Sequence, residues 1–470
     1  MLALIILLNI YFVSFRDKPE KGIPQLSDRA WEQRAKWNIP TDDMDYPVSP
    51  LYQGQLRKIG VNIHHVSRWF NGVTCEMDSA TAAKVKDLQF VTDVELTRDS
   101  TKQNALKMQR KIVLDGEKPP MTEDQFELYN LTPLHNAGYE GQGILMAVCD
   151  GAFSHANTLG CFRHKELCQG YFDFTDDKED FFETAKGNHG TSCLSAISGM
   201  DAEQNYYGAA TQAQYVLMRS EEYYTESPKE MDNLVAALEK ADSLGVNIFS
   251  VSLGYFYFDN EKWSLPKSAL DGKSTRASRA ALIAARKGIP VCAAAGNEGN
   301  KEWGTICVPG DADSVLTVGA VTSNGIVGAF SSYGPSADGR IKPEVCAVGV
   351  GTCLINQAGD TVRSNGTSFA TPLIAGLAAC LWSALPNENA MQIRERIIRS
   401  ADRYATPDTE HYKYGYGIPD AWKAYQNEPS GNETVNLIPN DEQPHKIIRG
   451  EQILIIRHGH IYNLAGQRIE

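Results

Sequence analysis

Three residues of the types that make up a serine nucleophile's catalytic apparatus lie far apart in this chain. Asp150 ends an apolar run (LMAVCDG), His189 opens a small-residue segment (HGTS), and Ser368 lies where a glycine-rich loop enters an apolar helix (SNGTSFATP). A serine nucleophile needs a base to take its proton and a carboxylate to orient that base. Each residue alone is more often a helix cap or a turn residue. Taken together, they predict a serine nucleophile with its base and the carboxylate that orients the base.

A fourth candidate, Asn297, ends the apolar run PVCAAAGN. Its side-chain amide can donate a hydrogen bond to the negative charge that develops on a carbonyl oxygen under attack. A serine at a helix start adds backbone N–H donors directed at the same charge. We therefore expect Asn297 to contribute to an oxyanion hole.

These residues need a scaffold that brings strand ends together, and the hydrophobic pattern predicts one. Apolar runs alternate with helical segments from about residue 125, which is typical of a mostly parallel sheet wrapped by helices. The predicted strands are Ile144–Cys149, Gln214–Met218, Val246–Leu253, Ile289–Ala295 and Val315–Val321. The predicted helices are Met231–Leu244, Ser274–Lys287 and Thr371–Leu385. Reactive groups in such α/β sheets gather at the carboxyl ends of the strands.

The chain order Asp, His, Asn, Ser and three local motifs resemble the subtilisin-like serine proteases, the subtilases. The motifs are HGTS at 189–192, AAGNEG at 294–299 and NGTSFATP at 365–372, with IKPEVCAVG at 341–349 similar to a further family segment. The resemblance implies a three-layer α/β/α peptidase domain over residues 124–426, in which Asp150, His189 and Ser368 form the triad and Asn297 serves the oxyanion. It also implies that Ser252, Leu253 and Gly254 pair with the substrate backbone. Ala294, Ala295 and Gly296 would form the opposite wall of the S1 pocket, which holds the side chain preceding the scissile bond.

Two departures from the family pattern stand out. Asp150 is followed by Gly151-Ala152-Phe153, so the hydroxyl residue that usually follows the aspartate is missing. The segment 197–210 lacks the Asn-rich calcium loop that often follows the histidine motif. Calcium is known in the family, but this sequence does not indicate it, and we expect neither a metal nor another cofactor.

Residues 17–123 have a separate strand and helix pattern. Within them, residues 67–95 resemble the inhibitory propeptide of subtilases, and the polar stretch 97–123 has the composition of an exposed connector. We therefore expect a small α+β propeptide domain that covers the cleft of a zymogen until the connector is cut.

The apolar run Leu2–Phe15 is too short to span a membrane and predicts a signal peptide over residues 1–16. An uncleaved N-terminal anchor or a misassigned start are the alternatives. The signal peptide predicts export, as a secreted, periplasmic or cell-surface protein of a bacterium. Residues 427–470 read as a polar linker and a β-like pair, Gln452–Arg457 and His460–Leu464, similar to the sorting tails of some exported bacterial proteins.

Charge limits the partners. The formal net charge of the 470 residues is -13 and the pI is about 5.3, which disfavours nucleic acid and anionic membrane surfaces. We expect protein or peptide substrates and the chain's own propeptide as partners, with membrane contact only through an N-terminal anchor. Two other functions are the alternatives: an esterase, which the residue order disfavours, and a catalytically inactive binding or adhesion module.

The ten cysteines have contexts that favour buried thiols for most of them. Cys161 and Cys168 flank a polar loop that contains His164. For this pair the sequence leaves three alternatives open: free thiols, a disulfide or a zinc site.

Overall fold

A computed structural model of the chain describes residues 8–99, 122–162, 165–176, 180–183, 187–406 and 410–427, together with three strands between residues 445 and 463. The chain divides into two compact units, Met1–Asn427 and Glu428–Glu470. Most of the predicted connector, residues 100–121, lies outside the described residues.

Residues 8–99 form a small α+β fold with its own core, called here the N-terminal region. Its elements are β1 (Asn9–Phe15), α1 (Asp28–Lys36), α2 (Pro50–Lys58), β2 (Asn62–Ser67), β3 (Gly72–Met77), α3 (Ser79–Lys86) and β4 (Val91–Arg98). The strands form an antiparallel sheet in the order β2-β3-β1-β4. Val13, Leu56, Val73 and Val85 pack in its core. The sequence predicts strands at Val61–Val66, Val73–Met77 and Phe90–Leu96 and a helix at Ser79–Leu88. All four are confirmed, with ends shifted by up to two residues.

The signal-peptide prediction is wrong for residues 9–15, which form the interior strand β1. This strand pairs with β3 on one side and β4 on the other, and five of its seven residues are buried. An apolar run suits a strand enclosed on both sides as well as it suits a signal peptide, so composition alone could not separate the two. The predicted start of the propeptide domain at residue 17 therefore cuts through its sheet. Residues 1–7 lie outside the described residues.

Residues 122–427 form a larger α/β fold, called here the α/β region. Its first elements are α4 (Glu123–Glu127), α5 (Thr132–Asn136), β5 (Leu145–Asp150), β6 (Cys168–Asp173), α6 (His189–Ser198), β7 (Met200–Asp201), β8 (Tyr206–Tyr207), β9 (Gln214–Arg219), α7 (Lys229–Leu244) and β10 (Ile248–Val251). The others are α8 (Arg276–Arg286), β11 (Val291–Ala294), β12 (Leu316–Val321), β13 (Val345–Val348), β14 (Thr352–Ile355), β15 (Thr361–Ser364), α9 (Thr367–Ala384), α10 (Ala390–Ser400), α11 (His411–Tyr414) and α12 (Ala421–Gln426).

A seven-stranded sheet organises this region, and every strand pair in it is parallel. Its order is β13-β12-β11-β10-β5-β9-β6. Alternate residues of each strand enter different cores: Met146 and Val148 pack with α6 and α9, whereas Leu145 and Ala147 pack with α7 and α8. The predicted three-layer α/β/α class is thus confirmed. Helix α9 is long and apolar enough to cross a membrane, but it is packed within this fold.

The five predicted strands and three predicted helices are all present, and two strands of the seven-stranded sheet were not predicted. The short strands β7, β8, β14 and β15, which form two further sheets, were not predicted either. β6 lies at the edge of the sheet and alternates half-buried and exposed residues, so it has no apolar run. β13 has only four residues within the motif IKPEVCAVG. None of the ten cysteines, all of which lie within the described residues, forms a disulfide, so the Cys161–Cys168 disulfide is not formed. His164, which the zinc alternative required, lies outside the described residues.

The sheet of the N-terminal region packs against α7 through buried polar contacts. Ser67 Oγ donates to Glu239 Oε1 at 2.6 Å, and the backbone N–H of Arg68 donates to the other oxygen at 2.9 Å. His65 Nε2 lies 2.8 Å from the Phe174 carbonyl oxygen and 3.1 Å from Asn233 Oδ1. These directed hydrogen bonds fix the position of the sheet relative to α7.

A second contact between the N-terminal region and the α/β region lies at the amino ends of two interior strands of the large sheet. The Arg29 guanidinium donates to the carbonyl oxygens of Gly143 and Gly245 and to Asn247 Oδ1, all of which precede the amino ends of β5 and β10. Helix α1 therefore docks at the amino ends of these strands, whereas Asp150 lies at the carboxyl end of β5.

Buried charges secure α1. Arg34 Nη2 lies 2.7 Å from Asp45 Oδ1 and 2.8 Å from Asp242 Oδ1, and all three side chains are at most 4% exposed. Burial alone would raise the pKa of Asp45, but hydrogen bonds from Arg34 and Lys287 lower it to about 2.

The second unit contains β16 (His445–Arg449), β17 (Gln452–Arg457) and β18 (His460–Asn463). They form an antiparallel sheet in chain order. The predicted pair is present, with one further strand before it.

Candidate active site

Asp150 and His189 are joined directly. Asp150 is the last residue of β5 and 1% exposed, and His189 is the first residue of α6. His189 Nδ1 lies 2.8 and 2.9 Å from the two carboxylate oxygens of Asp150. Because a carboxylate only accepts hydrogen bonds, Nδ1 of the ring must carry a proton. Nε2 has no hydrogen-bond partner among the described residues.

Gly190 explains why a glycine follows the histidine. A Cβ at this position would lie 2.6 Å from the Ala152 carbonyl oxygen and 2.9 Å from Asp150 Cβ. The Gly190 N–H donates to the Ala152 carbonyl oxygen at 2.9 Å. Only glycine lets α6 approach the end of β5 so closely, and this approach brings His189 to Asp150.

Ser368 lies in the first turn of α9. Its Oγ donates to the Ser252 carbonyl oxygen at 3.2 Å, and Ser252 Oγ donates to the Ser368 carbonyl oxygen at 2.8 Å. Cys193 Sγ lies between the two predicted catalytic residues, 3.8 Å from His189 Nδ1 and 3.4 Å from the Ser368 carbonyl oxygen. The Phe369 ring packs 5.4 Å from the His189 ring, centroid to centroid. These contacts bring the histidine and the serine to the same end of α9.

Asn297 is fixed by the residue that precedes the serine. Its Oδ1 accepts from the Thr367 N–H at 2.9 Å and from Thr367 Oγ1 at 3.0 Å. A backbone N–H can only donate, so the amide oxygen must face Thr367 and the NH2 group must point away from it. The amide NH2 is thereby presented beside the start of α9.

The predicted substrate segments border the same place. Ser252, Leu253 and Gly254 follow β10 and become progressively more exposed. Ala294, Ala295 and Gly296 end β11 and continue past it, and all three are buried. The structure therefore brings all the predicted site residues to the carboxyl ends of β5, β10 and β11 and the amino end of α9.

Sequence reasoning missed Thr367 and Glu221. Thr367 precedes Ser368 within the recognised motif, but its bond to Asn297 joins segments 70 residues apart. Glu221 follows β9 and packs over Gly151, where a Cβ would lie 3.4 Å from Glu221 Cβ. Its Oε1 accepts from the Tyr255 hydroxyl at 2.7 Å, so the residue spans from Asp150 to the segment after Gly254. No local pattern marks either role.

Two groups among the described residues have the spacing of metal ligands. One is Asp150, His189 and Cys193, and the other is Glu221, Glu226 and Glu230. The polar atoms of the first group are already engaged with one another, and Glu230 of the second accepts from the backbone N–H groups of Glu222 and Ser227. Neither geometry requires a cation.

Comparisons with known proteins agree with this geometry. Residues 141–417 match the subtilase family, and residues 10–111 match the Peptidase S8 propeptide domain of Bacteroidota. The chain is 27% identical over 341 residues to Serine protease AprX of Bacillus subtilis (strain 168), covering 65% of this chain and 72% of that protein. It is 27% identical over 291 residues to Subtilisin DY of Bacillus licheniformis, covering 62% and 93%.

The fold is also found among solved structures. The crystal structure of MycP1 from the ESX-1 type VII secretion system has a TM-score of 0.54 at 18% identity, covering 70% of this chain and 92% of that one. The family match spans more than half of this chain and contains Asp150, His189, Asn297 and Ser368. The chain belongs to the subtilase family and is a serine-type endopeptidase with an N-terminal propeptide domain.

Proposed function

We propose that this protein hydrolyses peptide bonds with Ser368 as nucleophile, His189 as base and Asp150 as the group that orients the base. The observation that carries the proposal is the convergence of the Asp150–His189 pair and the Asn297 amide on the first turn of α9.

The chemistry follows from these positions. Ser368 Oγ attacks the carbonyl carbon of the scissile bond while its proton passes to His189 Nε2. Asp150 holds the ring with Nδ1 protonated and stabilises the imidazolium that forms. In this structure Ser368 Oγ is bonded to the Ser252 carbonyl oxygen, so a rotation of the serine side chain must precede attack. His189 then gives its proton to the leaving amine, and water hydrolyses the acyl-enzyme by the same route in reverse.

The negative charge of the tetrahedral intermediate needs donors that are already in place. Asn297 offers its NH2 because Thr367 holds the amide oxygen. The amino end of α9 adds its partial positive charge at the same place, since Ser368 lies in the first turn of that helix. The segment Ser252–Gly254 starts next to Ser368, to which Ser252 is hydrogen-bonded. A substrate whose carbonyl carbon lies at Ser368 could therefore pair its backbone with this segment.

The N-terminal region supports synthesis as a zymogen. Arg98 ends β4 and lies 3.7 Å from Glu222, the neighbour of Glu221 at the cleft. The chain therefore leaves the N-terminal region beside the active site. We infer that cleavage between Arg98 and Glu123 frees the peptidase. Export remains a prediction, because the run that suggested a signal peptide contributes β1.

Ser368→Ala tests the nucleophile, and Ser383→Ala, at the other end of α9, is its matched control. We expect Ser368→Ala to lose fluorophosphonate labelling and peptide hydrolysis, whereas Ser383→Ala keeps both. N-terminal sequencing should find wild type shortened and Ser368→Ala at full length if the enzyme processes itself.

The same experiment discriminates the inactive binding module. A wild-type protein that is neither labelled nor active, even after removal of the N-terminal region, would favour that alternative. A Ser368→Ala protein that still hydrolyses peptides within tenfold of wild type would overturn the assignment of the nucleophile.

A further inference from the structure

One side chain lies between the two predicted substrate segments. Cys307 belongs to the loop between β11 and β12, and its N–H donates to the Ala295 carbonyl oxygen at 3.1 Å. The next residue, Val308, exchanges both backbone hydrogen bonds with Tyr255, at 2.9 and 3.1 Å. Residues 307–308 are thus tied to the segment around Gly296 on one side and to the segment after Gly254 on the other.

The glycines of both segments face this side chain. A Cβ at Gly254 would lie 2.8 Å from Cys307 Cβ, and a Cβ at Gly296 would lie 2.6 Å from Cys307 Sγ. Cys307 therefore fills the space that both glycines leave open, and it is only 2% exposed. The Cys307 side chain thus lies between the two segments and contacts both of them.

The positions of the reacting groups indicate which part of a bound substrate would lie next to Cys307. The carbonyl carbon under attack must come to about 3–3.5 Å from Ser368 Oγ. Its oxygen must face the Asn297 amide. The resemblance to the subtilases implies that the side chain of the residue that supplies this carbonyl, the P1 residue, enters the gap between Ser252–Gly254 and Ala294–Gly296.

We propose that Cys307 forms the floor of the P1 pocket and makes the enzyme selective for peptide bonds that follow small side chains such as glycine, alanine and serine. This inference rests on the proposed function, because it takes Ser368 and Asn297 as the groups that position the carbonyl. A larger P1 side chain would have to displace Cys307, which is held by backbone bonds on both sides. Well-packed sites tolerate such insertion poorly.

The size of the effect follows from pocket energetics. One methylene too many or too few in an apolar pocket changes kcat/KM by roughly 10–200-fold. We therefore expect wild type to cleave after alanine about 100-fold faster than after phenylalanine. Removing the sulfur should recover at least about tenfold of the rate for leucine and phenylalanine.

The test uses the full chain after its own processing, with active sites counted by fluorophosphonate titration. Peptides that differ only in P1 (Gly, Ala, Val, Leu or Phe) are compared for wild type, Cys307→Ala and Cys307→Gly. Cys307→Ser keeps the size of the side chain and should keep the wild-type profile. Cys346→Ala removes another buried thiol, on β13, and should also leave the profile unchanged. We expect only the two smaller residues at 307 to shift cleavage toward large P1 side chains.

The outcomes are distinguishable. A wild-type preference for leucine or phenylalanine, or a Cys307→Ala profile that matches wild type, overturns the role of Cys307 while leaving the proposed function intact. Wild type that is neither labelled nor active on any peptide overturns both. If Cys307→Gly does not fold, Cys307→Ala and the wild-type profile still decide the question.

Discussion

The docking of α1 onto the α/β region depends on the buried guanidinium of Arg34. We therefore expect Arg34→Met to make the opening of α1 more favourable. Arg34 contacts Asp242 and Asp45, and methionine keeps much of its length without the charge. Removing one partner of a buried ion pair costs about 3–5 kcal/mol, because the remaining charge stays buried. Here each carboxylate keeps a second cation: Arg68 lies 2.5 Å from Asp242, and Lys287 lies 2.8 Å from Asp45. We therefore expect the lower end, about 3 kcal/mol, or a roughly 100-fold rise in the opening equilibrium of α1.

Hydrogen exchange of the backbone amides measures this opening directly. The Ser368→Ala chain is the suitable background, since it cannot cut its own connector if the proposed nucleophile is correct. The α1 amides should exchange about 100-fold faster after Arg34→Met, while those of α9 stay unchanged. Lys21→Met is the control, because Lys21 and Asp43 form an exposed pair, with side chains 63% and 82% accessible, and such pairs contribute little. Unchanged α1 exchange in Arg34→Met, or equal loosening by Lys21→Met, would refute the reasoning.

Three further predictions concern the chemistry, the pH response and metals. Asn297→Ala should lower kcat by roughly 10²–10³-fold with KM nearly constant. Thr367→Val removes one of the two hydrogen bonds to the amide oxygen and should lower kcat by about tenfold. Steady-state kinetics in which either variant mainly raises KM would contradict an oxyanion role. Burial, aided by the charge of Lys229, lowers the pKa of His65 from its usual 6.5, so protonation opposes docking. The protection factors of the β2 amides, which are corrected for the pH dependence of intrinsic exchange, should therefore fall as the pH drops below about 6.5, and His65→Gln should flatten that dependence. EDTA should leave the thermal unfolding midpoint unchanged, because the segment 197–210 lacks a calcium loop; a lower midpoint would show that a bound metal stabilises the fold.

Motifs and strand ends predicted most of the active site because its parts are encoded locally. Asp150, Asn297 and Ser368 each lie where an apolar run ends or begins, and parallel strands bring such ends to one edge of the sheet. The contacts between these parts were not predictable in the same way. The Thr367–Asn297 bonds and the place of Cys307 between Gly254 and Gly296 depend on tertiary packing that no sequence spacing records.

The N-terminal region shows that an apolar run alone does not distinguish a buried strand from a signal peptide. Strands were predicted at Val61–Val66 and Val73–Met77, but β1, which pairs with the second of them, was assigned to a signal peptide. A run of apolar residues carries no information about its partners. The same holds for the docking of α1. Arg29 and Arg34 look like ordinary surface residues of an amphipathic helix, and only the fold shows that they meet Gly245 and Asp242.

The interior place of β1 bears on how the protein is made and handled. During synthesis β1 leaves the ribosome before its partners β3 and β4, which emerge some sixty to eighty residues later, so the strand must stay unpaired during that interval. Trimming the chain at residue 17 to obtain a mature form would leave β3 and β4 with facing unpaired edges and an open apolar core. Exposed edges of this kind pair with other chains. Preparations cut there should aggregate during expression, whereas those that keep residues 9–15 should remain dispersed.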